Sequence, residues 1–362
     1  MELRLHQITW RKFKGAFMIR IKDIAQKANV STATVSYVLN GTGSVSEKTR
    51  IKILKVIEEM NYQPNHIAKS LKIKKTNTIG VVVEDVTSFH SSEIIDGINE
   101  YAENHGFSLL LTNMRVLKRL GRDLEDQEKV RQLTPPAMKE ILNKQVDGLI
   151  YIGVHTRDVS GIINTGTLPT VYTYCYTSGE GYSVNYDDHL AAYEATKYLI
   201  EEGHSKIAVI SGLFNSNPSR DRFNGYYQAV KDHELVFDPS FIKTGDWEFE
   251  SGYTLTRELL DGTTRPTAIL AMNDVMAAGA INACLERGLH IPEDISIIGF
   301  DDREFSSYIN PKLTTMRLPL HEMGMEAIKS LVSILNQEEA TEKNKKLKCT
   351  LIKRHTVGKP RE

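Results

Sequence analysis

Cysteine is scarce in this 362-residue chain: Cys175, Cys284 and Cys349 stand far apart. Three such thiols make neither a disulfide framework nor a metal-ligand spacing, and they fit a reducing compartment. No run of 18 or more apolar residues occurs, which excludes a transmembrane helix. The opening "MELRLHQITWRKFKGAF" has no apolar core and no small-residue cleavage motif, so no secretory signal is expected. The nucleophile and phosphate motifs GxSxG, HExxH, the Walker loop and GxGxxG are all missing, and the 11 histidines are scattered. No enzyme, no metal site and no cofactor is therefore expected.

Charge is present in both signs but unevenly. The chain nets −1, yet residues 1–77 carry 15 lysines and arginines against 5 acids. That places +10 on the first fifth and −11 on the remainder. A basic head on an acidic body points to a polyanion for the head alone, although a solvated charged surface would look the same by charge. Met18 begins the patterned sequence and reads as the natural start. Residues 1–17 are then an upstream extension or a disordered arm.

From 21 to 60 the apolar spacing is helical. Ile21, Ile24, Ala25 and Ala28 fall on one face, and Asn29–Val30 break the helix. Ser31 reads as the N-cap of a second helix, "TATVSYVLN", with Val35, Val38 and Leu39 facing inward. "NGTGSVS" is a turn, and Ser46 caps a third helix carrying Ile51, Leu54, Val56 and Ile57. Two short helices joined by a tight turn, with a third behind them, form a helix-turn-helix.

The second helix presents small polar groups to solvent. Alone, that would mean only a solvated face. Second in a helix-turn-helix and on the basic part of the chain, it suits the major groove of DNA, where residues at the helix start reach base edges. Thr32, Ala33 and Tyr37 are placed to touch bases; Ser31, Thr34, Ser36 and Asn40 suit phosphates, which position without specifying. Residues 18–63 thus read as a DNA-binding domain. "NYQPNHIAKSLKIKK" then offers a short helix begun by Pro64 and a basic linker over 64–77.

From Thr78 onward, strand-like apolar runs alternate with amphipathic helices. Strands are expected at 79–83, 107–112, 146–152, 170–174, 207–211, 268–272 and 295–299, and helices at 92–105, 190–203 and 222–232. The charged stretch 115–138, ending in a proline pair, reads as a surface helix plus loop. Alternation of this kind predicts parallel sheets covered by helices, in two Rossmann-like lobes, with ligands at the carboxyl ends of the strands between them.

The stretch "IKDIAQKANVSTATVSYVLNGTGSVSEKTRIKILKVIEEMNYQPNHIAKSLK" resembles the DNA-binding headpiece of the LacI/GalR (lactose-repressor) family of transcription regulators, and the likeness continues to the C-terminus. It implies an α/β protein: a helix-turn-helix headpiece and a two-lobed, periplasmic-binding-protein-like effector domain. The implied lobes are 78–177 with 320–347, and 178–319 with 348–362. It further implies a hinge helix over 65–71, whose Asn65, His66, Ala68 and Lys69 meet the DNA while Leu71 wedges into the minor groove and kinks it. Many relatives carry Arg where this chain has Tyr37; Tyr lacks the bidentate fork that reads guanine.

Four motifs stand where the family binds effectors: "SRDRFNGY" with Arg222, "GDWEFESGY" with Trp247, "AMNDVMAAGA" with Asn273, and "IIGFDD" with Asp301. Asp274 and Asp302 read as structural neighbours. A polar fork, an aromatic plate, an amide and a carboxylate suit a sugar. On the first lobe, "EDVTSFHSSE" sets Phe89, His90 and Ser91 over the crevice, and "TYCYTS" puts Tyr174 and Cys175 where many relatives have an Asp-Arg pair. The expectation is a cytoplasmic homodimer on a pseudo-palindromic operator, controlled by a sugar. A purine-type or protein corepressor is the alternative, and a solute-binding protein or sugar-acting enzyme the remote one. No leucine heptad closes the sequence, so a dimer is expected rather than a tetramer.

Overall fold

The computed structural model describes residues 19–62, 75–121, 127–179, 181–338 and 342–361. The chain divides into two compact units, residues 1–76 and 77–362. The expected arm 1–17 and the hinge-helix residues Asn65, His66, Ala68, Lys69 and Leu71 lie outside the described residues.

The first unit contains helices α1 (Ile21–Ala28), α2 (Thr32–Asn40) and α3 (Glu47–Glu59). Asp23 accepts the Arg20 backbone N–H at 2.8 Å, and Asn29 ends α1 in the left-handed conformation. Ser31 and Ser46 cap α2 and α3 by accepting the N–H of Thr34 and Thr49, as their positions before each apolar run predict. Ile24, Ala25, Ala28, Val35, Val38, Ile53 and Val56 form the core. Two members of the expected α3 stripe are corrected: Ile51 and Leu54 are exposed. The run "IKILKVI" offers two apolar stripes, and Ile53, Val56, Ile57 and Met60, at i, i+3, i+4 and i+7, are the ones that pack inward.

The second unit begins with β1 (Thr78–Val83), α4 (Ser91–His105), β2 (Ser108–Asn113), α5 (Val116–Leu120), α6 (Gln127–Asn143), β3 (Gly148–Ile152), β4 (Thr170–Thr173) and β5 (Tyr182–Tyr186). It continues with α7 (Asp188–Glu201), β6 (Ile207–Ser211), α8 (Asn217–Asp232), β7 (Ile242–Thr244), α9 (Phe249–Asp261), β8 (Ala268–Ala271), α10 (Asp274–Glu286) and β9 (Ser296–Asp301). Last come β10 (Thr314–Arg317), α11 (Leu320–Leu335), β11 (Asn344–Leu347) and β12 (Thr350–Ile352).

Two sheets result among the described residues, in the orders β11-β5-β4-β3-β1-β2 and β12-β10-β9-β8-β6-β7. All pairings are parallel except β10 with β12. The central strands β3, β6, β8 and β9 are buried at every residue, as strands covered on both faces must be. Helix α11 returns to pack on β3, β4 and β5 of the first sheet.

The chain therefore crosses between lobes three times: from β5 to α7, from β10 to α11, and from β11 to β12. This moves one expected boundary. Residues 182–186 belong to the first lobe, not the second, because β5 pairs in parallel with β4 and with β11. The short strands β5, β7, β10 and β11 were not anticipated, whereas β12 falls within the C-terminal strand expected over 348–362. The proline pair does not end a helix either: Pro135 and Pro136 lie inside α6. Pro135 cannot donate to the carbonyl of Arg131, and the Thr134 hydroxyl donates to it instead at 2.8 Å.

Candidate nucleic-acid interface and effector crevice

On the first unit, Thr32, Ala33 and Tyr37 are exposed, Tyr37 by 48%. The other polar groups of α2 are tied to its backbone. Ser31 and Thr34 share a hydroxyl contact of 2.8 Å, and Asn40 Nδ2 donates to the Ser36 carbonyl at 2.9 Å. The face thus separates into three exposed side chains and a set of locally anchored hydroxyls and amides.

In the second unit, the crevice between lobes is organised around Arg222 of α8, which is 3% exposed. Its Nε donates to Asp188 Oδ1 at 2.6 Å, Nη2 to the Tyr186 hydroxyl at 3.1 Å, and Nη1 to the Met272 carbonyl. Its guanidinium carbon lies 3.6 Å from the centroid of the Phe300 ring and 5.6 Å from that of Trp247. Asp301 Oδ1 is 3.9 Å from Nη2. Burial pushes Asp188 up to about 6 against the opposing pull of Arg222, so Asp188 is ionised at neutral pH and the pair stands. Burial also raises the Asp301 carboxyl well above the usual range, while Arg222 acts against it. Arg222 has five N–H groups and these partners take three, so two remain to be matched.

Trp247, expected as an aromatic plate, is half-buried at φ +74° with its ring against Gly212, where a Cβ would lie 1.9 Å from the indole. Its carbonyl accepts from Asn273 Nδ2 at 2.8 Å, and Asn273 Oδ1 accepts the Met276 N–H at 2.7 Å. Asn273 is thus the N-cap of α10 and the support of the Trp247 loop, with one N–H left over. Asp274 is structural: it accepts from the Arg303 N–H, the Ser306 hydroxyl and the Thr315 hydroxyl. Asp302 binds Arg317 Nε at 2.7 Å and Arg354 Nη2 at 2.6 Å.

On the first lobe, His90 is 1% exposed and stacks on Tyr174, centroids 3.7 Å apart. Its Nε2 bonds the Gly153 carbonyl at 2.9 Å, which makes Nε2 the protonated nitrogen and leaves Nδ1 an acceptor. Burial drives the His90 and His155 imidazoles down to about 4, so both are neutral. Ser91 does not face the crevice as expected. It is fully buried in the first turn of α4 and donates to the Asp85 carbonyl at 2.9 Å. Phe89 is covered by Arg303, 4.4 Å from its ring centroid, and Asn217 Nδ2 donates to the Tyr176 hydroxyl at 2.9 Å. Both contacts join the two lobes.

Sequence reasoning passed over several of these groups: Tyr186, Asp188, Phe300, Arg303, His155 and the buried pair Glu84–Arg157, whose charged atoms approach to 2.6 Å. The signal for Asp188 was present. "NYDDHLAAYEA" is a strand end followed by acidic helix-start residues, and it was overlooked because β5 was.

Among the described residues, eight buried polar side-chain atoms have no partner, and they include four that follow two neighbouring strands. Ser88 Oγ and His90 Nδ1 follow β1, and His155 Nδ1 and Thr156 Oγ1 follow β3. These two strands are neighbours in the first sheet. A polar atom left this way costs about 1–3 kcal/mol unless something bonds it. The carboxyl end of the first sheet is thus set up for a ligand with several hydrogen-bonding groups.

Residues 20–65 match the family model for bacterial regulatory proteins of the lacI family, and residues 196–357 match the periplasmic binding protein-like domain. A "Ribose operon repressor" of Haemophilus influenzae is 32% identical over 342 residues, 94% of this chain and 99% of its own. This chain belongs to the LacI family. An "HTH-type transcriptional repressor PurR" of Haemophilus influenzae (strain PittEE) is 36% identical, with the same shares covered. The solved lac repressor dimer bound to operator and the anti-inducer ONPF superposes with a TM-score of 0.78 at 28% identity, covering 94% of this chain and 99% of that one. A LacI-family repressor is a DNA-binding transcription regulator and not an enzyme. Among the described residues, no helix is long and apolar enough to cross a membrane.

Proposed function

We propose that this LacI-family repressor acts as a cytoplasmic homodimer on a pseudo-palindromic operator, and that a small sugar held in the crevice controls its DNA affinity. The observation that carries the reading is the set of buried, unpartnered polar atoms on Ser88, His90, His155 and Thr156, in the same unit as Arg222 with its two spare N–H groups. A sugar brings paired donors and acceptors for such a set, and its C–H face suits Trp247. On the first unit, exposed Thr32, Ala33 and Tyr37 support base contact by α2, with Ser31, Ser36 and Asn40 nearer the phosphates. Control then runs through lobe closure, and it must be reciprocal: operator binding changes sugar affinity by the same factor.

A purine-type corepressor is the second reading. It draws on the relative named PurR at 36% identity. A thermal-shift screen of the purified chain against free sugars, sugar phosphates, nucleosides and purine bases separates the two. A ligand at 100 times its dissociation constant adds about 2.7 kcal/mol of stability. A hit confined to sugars supports the first reading, and a hit confined to purine bases replaces it with the second.

A further inference from the structure

Tyr37 leaves α2 beside the turn that follows it, and that turn holds it twice. The Thr42 N–H donates to the Tyr37 carbonyl at 3.0 Å, closing the helix. The Tyr37 ring itself lies against Gly43: a Cβ built on Gly43 would stand 2.9 Å from Cγ, 3.0 Å from Cδ1 and 3.2 Å from Cδ2. Any residue but glycine at 43 displaces the ring. Gly41, two positions earlier, shares the left-handed backbone, at φ +65° against +77° for Gly43. A Cβ on Gly41 meets nothing within 4 Å. The backbone requirement is common to both glycines; the open shelf under the ring belongs to Gly43.

A tyrosine has two side-chain torsions, and a shelf against one ring face removes most of what freedom remains. A side chain already held in one direction loses little entropy when it meets its target. We propose that Gly43 is a positioning residue for sequence reading. It holds the Tyr37 ring so that its hydroxyl and edge meet one base pair, selected by a single hydrogen bond or methyl contact rather than by a guanine-reading fork. The inference rests on the reading of α2 as the base-contacting helix, and its test keeps the two apart.

Operators are selected from a randomised library with the full chain, and affinities are titrated for every single-base change. The same is done for Tyr37→Ala, Gly43→Asn and Gly41→Asn. Asparagine is chosen because it tolerates positive φ, so the shelf is altered with little backbone strain. Tyr37→Ala should lower discrimination about five- to tenfold at one symmetry-related pair of positions, the low end of what one base contact supplies. Gly43→Asn should lower it at the same positions, and Gly41→Asn should not. The double variant Tyr37→Ala/Gly43→Asn should discriminate no worse than Tyr37→Ala.

The shelf is refuted if Gly43→Asn keeps full discrimination at those positions, or weakens all sequences equally while Tyr37→Ala acts locally. If Tyr37→Ala itself has no positional effect, base reading by Tyr37 fails and the proposal falls with it. Retained salt-dependent binding to random DNA shows that a variant headpiece is folded. Should Gly43→Asn lose it, Gly43→Ala, which adds a single carbon against the ring, decides by the same criteria.

Discussion

Asp188 and Arg222 are joined at 2.6 Å, and they tie a chain crossing to the crevice. Asp188 opens α7 directly after the first passage between lobes, and Tyr186, on the same passage, accepts from the same guanidinium. Asp301 stands 3.9 Å away, and its neighbour Asp302 clasps Arg317 at the end of β10 and Arg354 after β12. A ligand that competes for Arg222 therefore acts directly on groups of the first crossing, and next to Asp302, which holds the start of the second.

Asp188→Asn removes the charge that matches a buried guanidinium. Stripping one partner from a buried pair costs about 3–5 kcal/mol. Urea unfolding followed by fluorescence should show the transition of the second unit lowered by that amount, with the first unit's helices unaffected. An unchanged midpoint would mean that Arg222 finds compensation elsewhere.

Asp302→Asn loosens the second crossing at Arg317 and the segment after β12 at Arg354, while leaving the Arg222 contacts in place. The expected cost is about 1–3 kcal/mol, since Arg317 is half exposed and Arg354 mostly buried. Operator affinity without ligand should be nearly kept, and the change of affinity on adding ligand should shrink. Equal response in variant and parent would remove Asp302 from the coupling.

His90 gives a pH signature. Its folded value of about 4 lies below the ordinary 6.5, so below pH 6.5 the unfolded chain takes up a proton that the folded chain refuses. Its contribution is complete above pH 6.5 and is lost as pH falls toward 4, by about 3 kcal/mol. Asp188 and Asp274, raised to about 6, act in the opposite sense over part of the same range. The difference between parent and His90→Gln isolates the histidine: the parent should lose stability relative to the variant between pH 6.5 and 4. A pH-independent difference would place the imidazole in water.

Trp247→Ala should abolish the ligand response and leave ligand-free operator affinity unchanged, read by anisotropy of labelled operator DNA. An undiminished response would take the indole out of the ligand site.

The headpiece was legible almost residue by residue, because capping serines and a 3.6-residue period act locally. α3 misled because Ile51 and Leu54 complete a second apolar stripe that only packing can reject. In the body, the apolar buried strands β1, β3, β6, β8 and β9 announced themselves. β5, β7, β10 and β11 interrupt their few apolar residues with polar ones, carry too little pattern to be read and are fixed by their neighbours, as β5 is by β4 and β11. Arg222 and Trp247 were named through the family resemblance, whereas Asp188, Phe300 and Arg303 come to the crevice only through long-range pairing. Ser91 and Asn273 show the opposite case, polar residues beside the crevice that the fold uses for itself.

Coupling between crevice and headpiece is read as a change of operator affinity. It is tested most directly by titrating the selected operator with the purified chain, with and without a saturating amount of the sugar giving the largest thermal shift. The sugar should change the operator dissociation constant by about tenfold or more, and Arg222→Ala should remove the change. An operator affinity identical with and without every ligand that binds the crevice would contradict it.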